Sequence, residues 1–336
     1  MRKEAETVKF NQRASAAAIV VVAATSLLTS CAGGATSSVT PAAPAAGDRP
    51  LVDRAKWPKA TPERGLARGL TLPLETYMQT FEETVVLDGA VRRLQERCMA
   101  DYGLPVQLPV EGTNPPPSDN DANMERRYGL TDREAAAAHG YGLPGETTEP
   151  VRQKVPELEP AEFEVLTGHK LPAAAAKGAP QQAPERARDS YNGKKLHEGG
   201  CTNWAARQIE KPTQDDLTFV AELNGNSFTE SMKLPAVTKA LGEWSQCMDD
   251  KGHKGLTTPF DAANRVPHVE GRPSPEEIAV AVAEVDCKTQ TGLVDVWFKE
   301  ESRLQTALIA QHLGTLDPIR SRNGAAVDAA GSKAGR

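Results

Sequence analysis

Residues 274–312 read SPEEIAVAVAEVDCKTQTGLVDVWFKEESRLQTALIAQH. The stretch opens with three helix-start signals: Ser274 as N-cap, Pro275 in the first turn, and Glu277 placed to close a capping box. Ile278, Val282, Val285, Val296, Leu304 and Leu308 then recur at helical spacing, which predicts a helix running to about His312 with a bend at Gly292.

The same reading extends outward. Leu87, Val91, Leu94 and Cys98 share one face of a helical region over about 74–102, which Asp88-Gly89 is placed to divide and Gly103 and Pro105 stop. Thr131-Asp132-Arg133-Glu134 is a capping box ahead of a short Ala-rich helix ending at Gly140. Further helices are expected over about 201–211, over about 213–232 with Leu217, Val220, Phe228 and Met232 inward, and from Pro235 to Gly252 with Val237, Leu241, Trp244 and Met248 inward. Sustained period-two alternation is missing, so the fold class is all-α.

Between these helices the chain is rich in Pro, Ala and Gly. Residues 31–70 read as a flexible tether, 105–121 as a loop, and about 144–196 as a mobile insert with one short helix at 161–167. Residues 317–336 read as a disordered tail, leaving a helical domain over 71–316.

At the amino terminus, Arg2, Lys3, Lys9 and Arg13 precede an uncharged run from Ala14 to Leu28. Those 15 residues reach about 23 Å as a helix, too short for a stable span of roughly 20 residues. A basic start, a short apolar run and small residues are the marks of a signal peptide over 1–30. Leu28-Thr29-Ser30-Cys31 resembles the lipobox of bacterial lipoproteins. The resemblance implies a diacylglyceryl group on the Cys31 thiol, cleavage just before it, and attachment to the extracytoplasmic face of the cell membrane. The competing reading is an ordinary secreted protein with a stray cysteine near its cut.

Of five cysteines, assigning Cys31 to lipid leaves Cys98, Cys201, Cys247 and Cys287. Outside the cytoplasm an even set reads as disulfides, with three pairings open. A four-cysteine zinc site is the rival, but no C-x-x-C spacing supports it. Cys98-Met99-Ala100-Asp101-Tyr102-Gly103 and Cys247-Met248-Asp249-Asp250-Lys251-Gly252 both read C-M-x-D-x-G at expected helix ends, which suggests two duplicated helical units. Duplication predicts one bridge per unit, Cys98–Cys201 and Cys247–Cys287; the competing reading is coincidence.

Arg97-Cys98-Met99, Glu198-Gly199-Gly200-Cys201, Trp244-Ser245-Gln246-Cys247-Met248 and Asp286-Cys287-Lys288-Thr289-Gln290-Thr291-Gly292-Leu293 are similar to segments of uncharacterised secreted proteins and lipoproteins of high-GC actinobacteria. What that resemblance implies is an exported, disulfide-containing helical domain, with no activity attached.

For chemistry the sequence offers little. It has no G-x-S-x-G, no P-loop, no dinucleotide glycine fingerprint and no H-E-x-x-H. His139, His169, His197, His253, His268 and His312 are scattered; His197 with Cys201, or His253 with Cys247, is the one arrangement suggesting a metal or Cys-His site, and disulfide bonding would remove both thiolates. Neither a metal nor a cofactor is therefore expected. Glu82-Glu83, Asp215-Asp216, Glu276-Glu277 and Glu300-Glu301 are candidate acid/base pairs, more simply read as solvated helix faces or first-turn charges. Trp204, Trp244 and Trp297 read as core rather than as a sugar or peptide groove. A net charge of −6 with no basic run argues against a nucleic-acid partner. The expectation is a non-enzymatic envelope module that binds a protein, a cell-wall polymer or a small ligand; the alternative is a carboxylate-dependent hydrolase of cell-wall or extracellular polymer.

Overall fold

The computed structural model describes residues 49–118, 120, 122–172 and 183–334, all within one unit of the chain, Ala43–Arg336. The expected signal peptide and Cys31 lie outside the described residues, as do 31–48 of the expected tether. Ten helices are described: α1 Phe81–Asp101, α2 Met124–Arg127, α3 Arg133–His139, α4 Pro160–Thr167, α5 Gly200–Arg207, α6 Gln214–Ser231, α7 Pro235–Asp250, α8 Pro259–Arg265, α9 Pro275–Thr291 and α10 Leu293–Ala334. One antiparallel hairpin, β1 Ser190–Tyr191 with β2 Lys194–Lys195, is the described sheet. The fold is all-α.

The helix α10 is the spine and packs on α1, α6 and α7, while α9 packs on α3, α7 and α8. The main core gathers Trp244, Met248, Tyr128, Leu256, Cys287 and Trp297, with Phe228 stacked on Trp297 at 5.5 Å. Two disulfides tie helices together: Cys98–Cys201 joins α1 to α5, and Cys247–Cys287 joins α7 to α9. This is the pairing expected from one bridge per unit. The two C-M-x-D-x-G ends also fold alike. Leu104 N donates to Met99 O and His253 N to Met248 O, each bond closing over a glycine with positive φ, Gly103 at 77° and Gly252 at 91°. The likeness stops there, because Cys201 opens its helix whereas Cys287 lies near the end of its own.

Several expectations are corrected. Asp88-Gly89 leaves α1 unbroken, and Gly292 separates two helices rather than bending one. The cap of α3 is Asp132, whose Oδ1 accepts from Glu134 N and Ala135 N, while the Thr131 hydroxyl donates to Glu125 O. The inward face of α9 and α10 is rotated from the apolar stripe: Val280, Glu284, Cys287, Lys288, Trp297, Glu301 and Gln305 are buried, whereas Ile278, Val282, Val296, Leu304 and Leu308 are half-buried. Buried polar side chains on that face misled a reading based on apolar spacing alone.

The expected disordered tail is helical in α10 to Ala334, bending at His312 (φ −113°) shortly ahead of Pro318. Leu316 and Ile319 pack on Val220 and Leu223, and Ala326 and Ala330 on Leu87, Leu94 and Ile209. The expected tether likewise ends earlier: Trp57 and Ala67 are buried, Leu66 N donates to Thr131 O, and Asn120 Nδ2 donates to Lys59 O and Ala60 O. Within the expected insert, α4 forms where a short helix was predicted and ends at Gly168.

Candidate functional site

The segment Met124-Glu125-Arg126-Arg127-Tyr128-Gly129-Leu130-Thr131 is held between two buried carboxylates. On the α10 side, Glu301 is fully buried. It pairs with Arg127 through both oxygens and also accepts from Tyr128 Oη at 2.8 Å and Ser227 Oγ at 2.9 Å. On the α9 side, Glu284 accepts from Leu130 N at 2.9 Å and Tyr141 Oη at 2.6 Å and pairs with buried Lys288, whose Nζ also donates to Leu130 O at 2.7 Å. Burial raises the Tyr128 and Tyr141 hydroxyl pKa values and lowers that of the Lys288 ammonium. Both clusters satisfy their charges internally, so they fix the segment rather than present reactive groups.

What they fix is one side of a cleft of about 310 Å³. Its lining includes Leu130, Thr131 and Ala135, together with Trp57, Lys59 and Glu63 from one stretch of chain, the first wall, and Leu143 and Pro144 from another, the second wall. Trp57 is held edge-on to Phe81 at 5.5 Å, and its Nε1 donates to Gly112 O at 2.9 Å. Arg126 sits at the base of the second wall and donates to Tyr141 O at 3.1 Å and Gly142 O at 2.7 Å. The cleft is at the small end of ligand pockets, about 300–1,000 Å³. Lys56, Lys59, Arg64 and Arg126 with Glu63, Glu125 and Asp132 give its lining mixed charge beside apolar Leu130, Ala135 and Leu143.

The second wall is locked from behind. Tyr141 N donates to Glu277 Oε1 at 2.9 Å, and His268 Nδ1 lies 2.8 Å from the same oxygen. His268 Nε2 lies 3.4 Å from Glu146 Oε2, while Glu146 accepts from Leu143 N at 3.0 Å and Gly271 N at 2.7 Å. Hydrogen bonding to Glu277 raises the His268 pKa, and the Gly271 N–H lowers that of Glu146.

The candidate acid/base pairs are not brought together at the cleft. Glu83 and Asp216 close capping boxes on Thr80 and Thr213; Glu82 faces Arg54 at 3.7 Å, Glu300 pairs with Arg303, and Asp215 and Glu276 sit in first turns. Glu301 serves the segment above. Ser274 Oγ accepts from Glu277 N, but the Glu277 carboxylate turns to Tyr141 instead of closing the box. The carboxyls with displaced acidity, Glu146, Glu164, Asp216 and Asp261, all move down, the opposite of what a general-acid carboxyl requires. Trp244 and Trp297 are core, as expected, and Trp204 is half-buried with His197 stacked on it at 5.5 Å. His197 and His253 therefore meet no free thiolate at Cys201 or Cys247. His139 ends α3, His312 marks the bend of α10 and His169 pairs with Arg186 in an isolated bridge.

The sequence reading missed Trp57, Lys59, Glu63, Arg126 and Glu146. The available signal was the isolated Trp57 in a stretch otherwise suited to a tether, and the Arg126-Arg127-Tyr128 run in apparent coil. Among the described residues no group of three His, Cys, Asp or Glu could hold a metal ion, and no helix is long and apolar enough to cross a membrane. No family model, curated protein or solved structure matches the chain.

Proposed function

We propose that the protein is an exported lipoprotein, anchored through acylated Cys31 on the extracytoplasmic face of the cell membrane. Its helical body acts as a binding or accessory module of the envelope and takes a small ligand of mixed charge in the Trp57 cleft. The reading rests above all on the cysteines: the four beyond Cys31 are closed in two bridges, and such bridges persist in oxidising compartments. The size of the cleft and its mixed charged and apolar lining support the ligand class.

The anchor is tested by the mass of the mature amino-terminal peptide and by partition of the native protein into detergent. An acylated peptide beginning at Cys31 is expected; intact, unacylated protein from the cytoplasm with free thiols overturns the reading. For the cleft, thermal melting of the Cys31→Ser protein is measured with free amino acids, short peptides and soluble cell-wall fragments. A shift lost in Trp57→Ala is expected, and no shift with any of them overturns the ligand assignment.

A further inference from the structure

We infer that His268 is a proton-operated latch that fixes the 140–148 wall of the cleft. The inference deepens the binding reading, since Leu143 and Pro144 form that wall, but the latch itself needs no ligand.

The geometry is that of an imidazolium between two carboxylates. Nδ1 faces Glu277 of α9 and Nε2 faces Glu146 of the wall. Protonated, the ring is hydrogen-bonded to Glu277 and holds a charge contact with Glu146; neutral, it has one N–H, and its other nitrogen sets a lone pair against a carboxylate. The two carboxylates differ in what they can do next. The side chain of Glu277 is fully buried, and its Oε2 has no hydrogen-bond partner among the described residues, so it depends on the cation beside it. Glu146 is partly exposed and can turn to water. Loss of the proton therefore breaks the Glu146 side and frees the Leu143 and Gly271 amides that the same carboxylate holds. The His268 side chain is about one-third exposed, at 32%, so solvent protons reach it.

Space on the wall is reserved for this contact. A Cβ on Gly142 would come 2.7 Å from Glu146 Oε1 and 2.8 Å from His268 Cε1. Other charged groups on the packed elements do not compete for the ring. Arg126 of α2 is turned to Tyr141 O and Gly142 O, the Tyr141 hydroxyl to Glu284, and Lys288 to Glu284 and Leu130 O. Glu270 and Arg272, in the segment 266–274 that carries His268, and Glu276 of α9 are exposed.

The sign follows from the direction of the shift. The His268 pKa is raised in the fold, so the latch is fully closed below the ordinary histidine value and opens as pH rises through the folded one.

The test is amide hydrogen exchange on the full mature chain from pH 5 to 9, read as protection factors, with the His268 ring titrated by NMR. Protection at Leu143 and Gly271 should fall with rising pH, about tenfold for each unit by which the fold raises the histidine pKa. In His268→Gln the pH dependence should vanish, and in Glu146→Gln the ring pKa should drop toward its ordinary value. Flat protection in the native protein, or the same pH dependence in His268→Gln, overturns the latch; if that variant fails to fold, an unmoved ring pKa in Glu146→Gln overturns it. Absence of any cleft ligand leaves these readouts intact, so the latch and the binding reading fail separately.

Discussion

Glu301 and Glu284 are both buried carboxylates facing cations, and breaking either pair should be costly. Glu301 is what Arg127, Tyr128 and Ser227 share, and the Arg127 side chain is only 12% exposed. Glu301→Ala leaves a nearly buried guanidinium without its counter-charge, which costs about 3–5 kcal/mol. Urea unfolding should show this as a lower midpoint at unchanged slope. Lys288→Met should cost a similar amount, because it leaves the fully buried Glu284 carboxylate without its counter-charge and Leu130 O without its donor. A loss below about 1 kcal/mol in either variant would refute the burial argument. Glu164 gives the acid-side counterpart. Its hydrogen bonds from Arg188 hold its pKa down to about 2, so its stabilisation is present above the ordinary carboxyl range and is lost as pH falls toward 2. Arg188 is half exposed, so water weakens the pair, and Glu164→Gln should remove about 1 kcal/mol at neutral pH. The gap from wild type should close in urea titrations repeated at acid pH. None of these partners was legible in the sequence. Glu301 lies 174 residues from Arg127, and a carboxylate pattern that suits a solvated face suits a buried one equally well.

At the scale of elements, local signals were read only in part where backbone caps dominate. Ser274 caps α9, and Pro235 and Pro275 open α7 and α9 as expected, whereas the Thr80 and Thr213 caps of α1 and α6 and the Pro160 start of α4 were not read. The end of α10 was misread because Ala, Gly and Ser in residues 324–334 look like tail composition. Alanine is also the best helix former, and a helix tipped with Ala326 and Ala330 approaches α1 closely because those side chains are small. Ala330→Asp should therefore bury an unpaired charge against Leu87, Ala90 and Ile209 and lower stability by about 2–4 kcal/mol. A disordered tail would tolerate the change, so an unaltered melting temperature would count against the packing described. The cleft was illegible for a different reason. It is made by coil and short helices at 55–64, 117–118, 125–135 and 143–144, which carry no periodic signal, and they meet through long-range bonds such as Asn120 to Lys59 and Ala60.

Across the whole molecule, the two disulfides do different things although loop entropy ranks them close together. Their sequence separations are 103 and 40 residues, so the chain-entropy estimate gives about 4.7 and 3.9 kcal/mol. Packing separates them. Cys98–Cys201 sits in a small cluster with Met99, Tyr102, Val165 and Leu166, which holds α4 and α5 against α1. Cys247–Cys287 sits in the main core with Trp244 and Trp297, on the helix α9 that also carries Glu277 and Glu284. Removing the first bridge (Cys98→Ser with Cys201→Ser) should loosen α4, the β1–β2 hairpin and α5 and leave the rest protected. Removing the second should weaken protection through α7, α9 and the wall at 140–148 together. Hydrogen exchange resolved by peptide distinguishes these outcomes. The consequence for binding is asymmetric: melting shifts from a cleft ligand should survive loss of Cys98–Cys201 and shrink on loss of Cys247–Cys287, because only the second braces the helix that anchors the cleft. If the bridge with the longer loop proved the more damaging to remove for cleft and core alike, restriction of the unfolded chain would outweigh the placement of the bond in the fold.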